Sequence, residues 1–235
     1  MTGGWRGDGA QHRGARPYQE DCWALRDLGQ AGLLAVLADG MGGHAGGAVA
    51  SRLAVDAVVL AMEGGASLVR ALDAANRAVG ERARQDRTLD NMGTTLVAVL
   101  VTGDDLRWIS VGDSPLYLSR RGRLERLNAD HSMAPQIDEL VARGVIGAQE
   151  AARHPGRHTL REAVMGRPLT LVDEGIRRLD PGDLLLVCSD GVQSLGDAQV
   201  AAAARGSAVA LVDAVLAVRE PHQDNVTVIR LEREE

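Results

Sequence analysis

Apolar residues along the chain switch between a period of two and a helical period, and each switch marks an element. Residues 22–25 and 32–38 are short apolar runs on either side of the turn-like Asp27-Leu-Gly-Gln, which predicts a hairpin. Between residues 48 and 62, Val49, Leu53, Val55, Val58, Val59 and Met62 recur at helical spacing. A second such stretch runs from 67 to about 84, so two long helices facing a core are expected. Residues 94–101, 106–111, 116–119 and 123–127 read as consecutive strands with tight connections at Thr102-Gly-Asp-Asp and Arg120-Arg-Gly, a meander. Strand patterns return at 169–176, 183–188 and 225–231, with an Ala- and Val-rich helix pair between 197 and 218. The first twenty residues, rich in Gly and Arg, show little period.

The stretch from 130 to 168 is more polar. It carries three of the six histidines, His131, His154 and His158, and short helical patterns at 134–143, 149–153 and 158–164. This predicts an excursion from the sheet core. Many strands with two pairs of helices imply an α+β sandwich, sheets inside and helices outside.

With 235 residues, 45% of them apolar, the chain can bury a large core. A net charge of −6 without a Lys/Arg block argues against nonspecific nucleic-acid binding and fits a protein substrate better. Two cysteines, Cys22 and Cys188, both lie beside or within apolar runs, so core positions in a reducing cytosol are expected rather than a disulfide framework or a thiolate zinc site. No segment reads as a signal sequence, and none approaches the roughly 20 apolar residues of a membrane span.

The candidate chemistry lies where strand patterns end. Asp39-Gly40 follows Leu34-Ala-Val-Leu-Ala, Asp113 follows Trp108-Ile-Ser-Val-Gly112, and Asp190-Gly191 follows Leu184-Leu-Leu-Val-Cys-Ser189. Asp224-Asn225 precedes Val-Thr-Val-Ile229, and Glu20-Asp21 precedes the first hairpin run. Strand ends let a sheet collect acids distant in sequence, and carboxylates gathered without matching bases call for a multivalent cation held by oxygen. Asp39 at a strand end suits a bridging ligand, and Gly40 would let its carbonyl approach an ion. The plainer reading of Asp39 is a glycine-rich turn that caps the helix near Ala48. A phosphate-directed hydrolase is the economical interpretation.

In order along the chain stand Arg16…Glu20-Asp21, Ala38-Asp-Gly-Met-Gly-Gly-His44, Met92-Gly-Thr-Thr95, Val111-Gly-Asp-Ser114, Asp130-His-Ser132, Cys188-Ser-Asp-Gly191 and Asp224-Asn-Val-Thr-Val228. Together they resemble the metal-dependent protein phosphatases, the type 2C serine/threonine phosphatases, in their compact bacterial form. The resemblance implies one domain over 1–235, a four-layer α-β-β-α sandwich with a central antiparallel β-sandwich flanked by helix pairs, and a flap insertion at about 130–168. It implies two Mn²⁺ or Mg²⁺ ions, with a third, weaker ion in bacterial members. Asp39 would bridge the metals, the Gly40 carbonyl would bind one, and Asp190 and Asp224 would complete the other. Glu20 and Asp21 would hold metal waters, Asp113 with Asp190 would serve the third ion, and Arg16 would bind the substrate phosphate.

The implied activity is hydrolysis of phosphoserine and phosphothreonine on proteins by a metal-activated water, opposing a Ser/Thr kinase, in a cytoplasmic monomer. A pseudophosphatase that binds partners through the flap is the competing class. Met41 occupies the position at which eukaryotic members carry a histidine proposed as general acid, and nearby His44 is a solvated-loop residue or a substitute acid. Pro115 replaces an arginine common after Gly-Asp-Ser, and Tyr18-Gln19 an Asn-rich pair. An ion pair with Glu20 is the plain alternative for Arg16. The flap histidines have no metal-cluster spacing.

Overall fold

A computed structural model describes residues 4–42 and 45–233. Two antiparallel sheets face each other. One holds β1 (Trp5–His12), β11 (Val226–Arg233), β10 (Leu184–Cys188), β7 (Leu116–Arg120) and β8 (Arg123–Arg126) in that spatial order. The other holds β2 (Asp21–Asp27), β3 (Leu33–Met41), β5 (Leu96–Thr102), β6 (Asp105–Val111) and β9 (Asp173–Arg178), with short β4 (Gly93–Thr94) paired to the end of β3. Helices α1 (Ala45–Glu63) and α2 (Leu68–Gln85) cover the second sheet, and α5 (Asp197–Ala203) and α6 (Ala208–Ala217) cover the first. The four-layer α-β-β-α arrangement expected from the resemblance is therefore present.

Strand alternation explains why the central runs are apolar throughout. Along β3, Leu33, Ala35 and Leu37 enter the core between the sheets while Leu34, Val36 and Ala38 enter the core under α1 and α2. On β10, Leu185 and Val187 face the opposite sheet while Leu186 and Cys188 face α5 and α6. A strand buried on both faces loses its polar alternation. Cys22 and Cys188 sit in the two outer cores, with both sheets between them, and both are free thiols as expected.

The sequence reading needs correction at several places. The amino-terminal stretch read as lacking period contains β1, paired with β11 from Trp5↔Arg233 to His12↔Val226. Its inward positions include glycines because large side chains from the facing sheet and from neighbouring β11 occupy their space. A Cβ on Gly9 would lie 2.5 Å from the Trp23 ring, and one on Gly7 would lie 2.6 Å from Leu231 Cδ2 and 2.8 Å from Leu25 Cδ2. The meander is split, with β5 and β6 in one sheet and β7 and β8 in the other; Gly112, at φ 98°, begins the crossing.

Residues 158–164 form no helix. Their backbone instead bridges outward, with Arg161 N donating to His131 O at 2.7 Å and Val164 N to Thr94 O at 2.9 Å. The last long strand before β10 starts at Asp173 rather than 169, because the Glu162 carboxylate captures the backbone N–H groups of Thr170 and Leu171. α1 starts three residues earlier than the periodicity indicated, and its opening includes two glycines that a propensity argument disfavours. His44 lies outside the described residues. In the 130–168 segment, α3 (Ala134–Ala142) and α4 (Ala148–Ala152) are found where the pattern placed them.

Candidate active site

Asp21 and Asp39 are register partners at the ends of β2 and β3, so both carboxylates emerge at one end of the sandwich. Thr94 and Thr95 clamp the Asp39 peptide. Thr95 Oγ1 accepts from Asp39 N at 3.0 Å, while Thr95 N and Thr94 Oγ1 donate to Asp39 O at 2.9 Å each. Gly40 N donates to Glu20 O at 3.2 Å. A Cβ on Gly40 would stand 2.2 Å from Gly47 O and 2.6 Å from Glu20 O, so only glycine allows α1 and the Glu20 peptide to close on this corner.

The first sheet contributes the rest. Asp190 begins a 3-10 turn (Asp190–Ser194) directly after β10, and Asp224 lies just before β11. A Cβ on Gly191 would meet Asn225 O at 2.0 Å, so the two chain segments touch through glycine. Asp113 lies on the crossing from β6 to β7, almost fully buried, with its carbonyl held by Arg126 Nη2 at 2.7 Å.

These five aspartates share one field. Burial pushes the Asp39 carboxyl well above its ordinary value, and Asp21, Asp190, Asp113 and Asp224 each raise it further. Asp21 is pushed up to about 7, first by burial and then by Asp190 and Asp224, against hydrogen bonds from Thr227 and Ser189. Asp113 is pushed up to about 7 by burial, Asp190 and Asp130. Asp190 reaches about 6 through burial and Asp224, with His158 and Arg16 pulling the other way. Each shift has the same physical content: desolvated like charges disfavour a second negative charge. Asp21 Oδ2 accepts from Thr227 Oγ1 at 2.6 Å, whereas its Oδ1 is buried with no hydrogen-bond partner. Among the described residues, no three His, Cys, Asp or Glu side chains close on one cation-sized point.

Arg16 pairs with Asp224 rather than Glu20, Nη2 to Oδ2 at 2.6 Å, with both side chains substantially exposed. Asn225 organises this loop. Its Nδ2 donates to Arg13 O at 2.9 Å and Tyr18 O at 3.0 Å, and its Oδ1 accepts from Glu20 N at 2.7 Å. Arg16, Asp190 and Asp224 line a cleft of about 770 Å³ whose far wall carries Val141, Ala151, Arg157 and His158. The sequence pattern grouped the five aspartates with Glu20, Gly40 and Arg16. It gave no role to Asn225, Thr227 or His158; the Asp-Asn-x-Thr order was the available signal for the first two, whereas His158 is placed only by tertiary folding.

The chain matches the family model described as protein phosphatase 2C over residues 7–225, and it belongs to that family. It is 37% identical over 210 residues to the serine/threonine protein phosphatase PstP of Mycobacterium tuberculosis, a match that covers 83% of this chain and 39% of that protein. The crystal structure of the M. tuberculosis phosphatase PstP/Ppp superposes with a TM-score of 0.81 at 32% identity, covering 98% of this chain and 99% of the other. A structure of the PstP catalytic domain in complex with two manganese ions gives a TM-score of 0.77 at 30% identity over 98% and 99% of the two chains.

Proposed function

We propose that the chain is a metal-dependent phosphatase that hydrolyses phosphoserine and phosphothreonine in proteins. The observation that carries this is the convergence of Asp21, Asp39, Asp113, Asp190 and Asp224 on one desolvated patch beside Arg16 and an open cleft. The residues fit hard divalent cations. All the donors are oxygens, Asp21 Oδ1 is buried without a protein partner, and glycine at 40 lets the Gly47 and Glu20 backbones close on the corner next to Asp39. Asp39 and the Gly40 carbonyl would serve one ion, Asp39, Asp190 and Asp224 a second, with Glu20 and Asp21 holding their waters. Asp113 and Asp190 would serve a third.

Two bound divalent cations, Mn²⁺ or Mg²⁺, supply Lewis acidity that acidifies water and neutralises phosphoryl oxygens. The chain's own groups do the remaining work. Thr227 holds one Asp21 oxygen fixed, so its other oxygen is presented to the patch. Arg16 faces the cleft from a loop tied down by Asn225, and its guanidinium suits two oxygens of a phosphate dianion. Its pairing with Asp224 keeps it beside the carboxylates until a phosphate competes for it. No cysteine takes part, since Cys188 is fully buried and its thiol is pushed above its ordinary value by burial. Retention of five costly clustered acids argues for catalysis over a pseudophosphatase.

The reading extends to a cytoplasmic monomer that opposes a Ser/Thr kinase, with the 130–168 segment as a flap over the cleft. Among the described residues no helix is long and apolar enough to cross a membrane. Phosphoserine and phosphothreonine peptides with saturating Mn²⁺ should release inorganic phosphate; no release from any such peptide would refute the proposal. Arg16→Ala is expected to raise KM for a phosphopeptide about tenfold, the scale of a charge-assisted pair, with Arg16→Lys recovering part of it. An unchanged KM would leave Arg16 only its Asp224 pairing.

A further inference from the structure

Beside the active-site cleft lies a second cleft of about 450 Å³, which shares Asp138, Arg157, His158 and Gln193 with it. Buried Val192, Leu195 and Val200 lie behind it, and Asp113 and Asp130 add carboxylates to its lining. Its two guanidinium groups are already committed. Arg126 donates to Asp130 Oδ2 at 3.0 Å, and Arg157 spans both Asp138 oxygens at 2.7 and 3.0 Å. Asp197, at the start of α5, also lines the cleft and makes no ion pair among the described residues. Tyr117 lines it as well, more than nine-tenths buried, and its hydroxyl has no hydrogen-bond partner among the described residues. The ring is buried while the hydroxyl opens on the cleft, where a ligand or water can complete its hydrogen bonding. Burial first, and after it the fields of Asp197 and Asp130 among others, push the Tyr117 phenol up to about 12, so it stays neutral and can accept a hydrogen bond.

We propose that this second cleft receives an arginine or lysine side chain of the phosphorylated polypeptide, with Asp197 as its counter-charge and the Tyr117 hydroxyl as its acceptor. A long side chain ending in a cation matches this acidic lining, as basic side chains leave their charge at a polar rim. Asp197 is exposed, and the cleft continues into the one that holds Asp190, so a chain placing its phosphate there passes the rim. The inference rests on the protein-phosphatase reading and names a sequence preference within it.

The test is kcat/KM for phosphothreonine peptides carrying a single Arg at each of three positions on either side, against Ala and Glu at the same places. One position should favour Arg over Ala by about threefold to fivefold, the size of a partly exposed ion pair, and the preference should shrink with added salt. Asp197→Lys should invert it so that the Glu peptide is preferred there. Tyr117→Phe, which keeps the packing volume and removes only the hydroxyl, should reduce the preference, mainly through KM. Melting temperatures check that the variants fold, and the isosteric Tyr117 change keeps the test valid should the Asp197 change unfold the chain. If Arg, Ala and Glu peptides are hydrolysed equally at every position, the subsite is wrong and the hydrolase reading stands. If a preference survives Asp197→Lys, it arises elsewhere and the proposal is overturned. If no phosphopeptide is hydrolysed at all, both readings fall.

Discussion

Asp39→Asn is expected to lower phosphopeptide turnover by about a thousandfold or more while raising the melting temperature of the metal-free protein. Both effects have one cause. Asp39 is desolvated and in the field of Asp21, Asp190, Asp113 and Asp224. An amide there removes the negative charge that would hold two cations and, with it, the repulsion that only cations offset. Asp190→Asn should be comparably damaging to turnover but less stabilising. His158 and Arg16 already favour its charge, so neutralising it also discards attraction. The measurements are kcat/KM at saturating Mn²⁺ and thermal melts after chelation and dialysis. Turnover near that of the parent protein, or a metal-free melting temperature that falls for Asp39→Asn, would return Asp39 to the role of a turn residue.

The acids stand out in the sequence because several lie at the end of an apolar run that stops at a charged residue. Leu184 to Cys188 followed by Asp190 is the clearest case, since one face feeds the inter-sheet core and the other the core under α5 and α6. β1 was hidden for the opposite reason. Gly7 and Gly9 contribute no apolar side chain of their own, and the material that fills their inward positions is Trp23 and Leu25 from the facing sheet and Leu231 from β11. Local periodicity does not register a side chain lent from elsewhere. The 158–164 stretch failed because its helical pattern was outweighed by bridges to His131 and Thr94, partners some 30 and 70 residues away. The same long-range placement brings His158 to the cleft and leaves Tyr117 exposed to the second one by its hydroxyl alone; neither has a signature in its neighbours. The pairing of Arg16 with Asp224 across the sheet was likewise out of reach of spacing, which offers only Glu20 as a near partner.

Stripping the metals should make stability fall as pH rises from about 4 to about 7, the reverse of ordinary acid denaturation. The sign follows from the direction of the shifts. Asp21 and Asp113 hold their protons to about 7 and Asp190 to about 6 in the folded state, against an ordinary 3.8, and Asp39 is displaced the same way. In that window the unfolded chain has ionised and the folded chain has not. The folded state therefore binds more protons, and each rise in pH favours unfolding until the folded carboxyls ionise as well. Neighbouring carboxyls share protons, so the separate steps merge into one broad transition. His131 opposes the trend, since burial lowers its pKa below 6.5 and stability is lost as it charges on acidification, while Asp86, Asp138, Glu162 and Glu232, whose pKa values are lowered, oppose it only towards the acid end of the window. A decline of about 5–10 °C in metal-free melting temperature between pH 5 and 8 is expected, corresponding to a few kcal/mol in a chain of this length. Added Mn²⁺ should reverse it, stabilising more at pH 8 than at pH 5 because ligand carboxyls must release protons before they bind. The double change Asp21→Asn with Asp113→Asn removes two of the titrating groups while leaving His131 in place, and should flatten the slope. A metal-free melting temperature that climbs from pH 5 to 8, or a Mn²⁺ effect independent of pH, would mean that these carboxyls do not share one desolvated site.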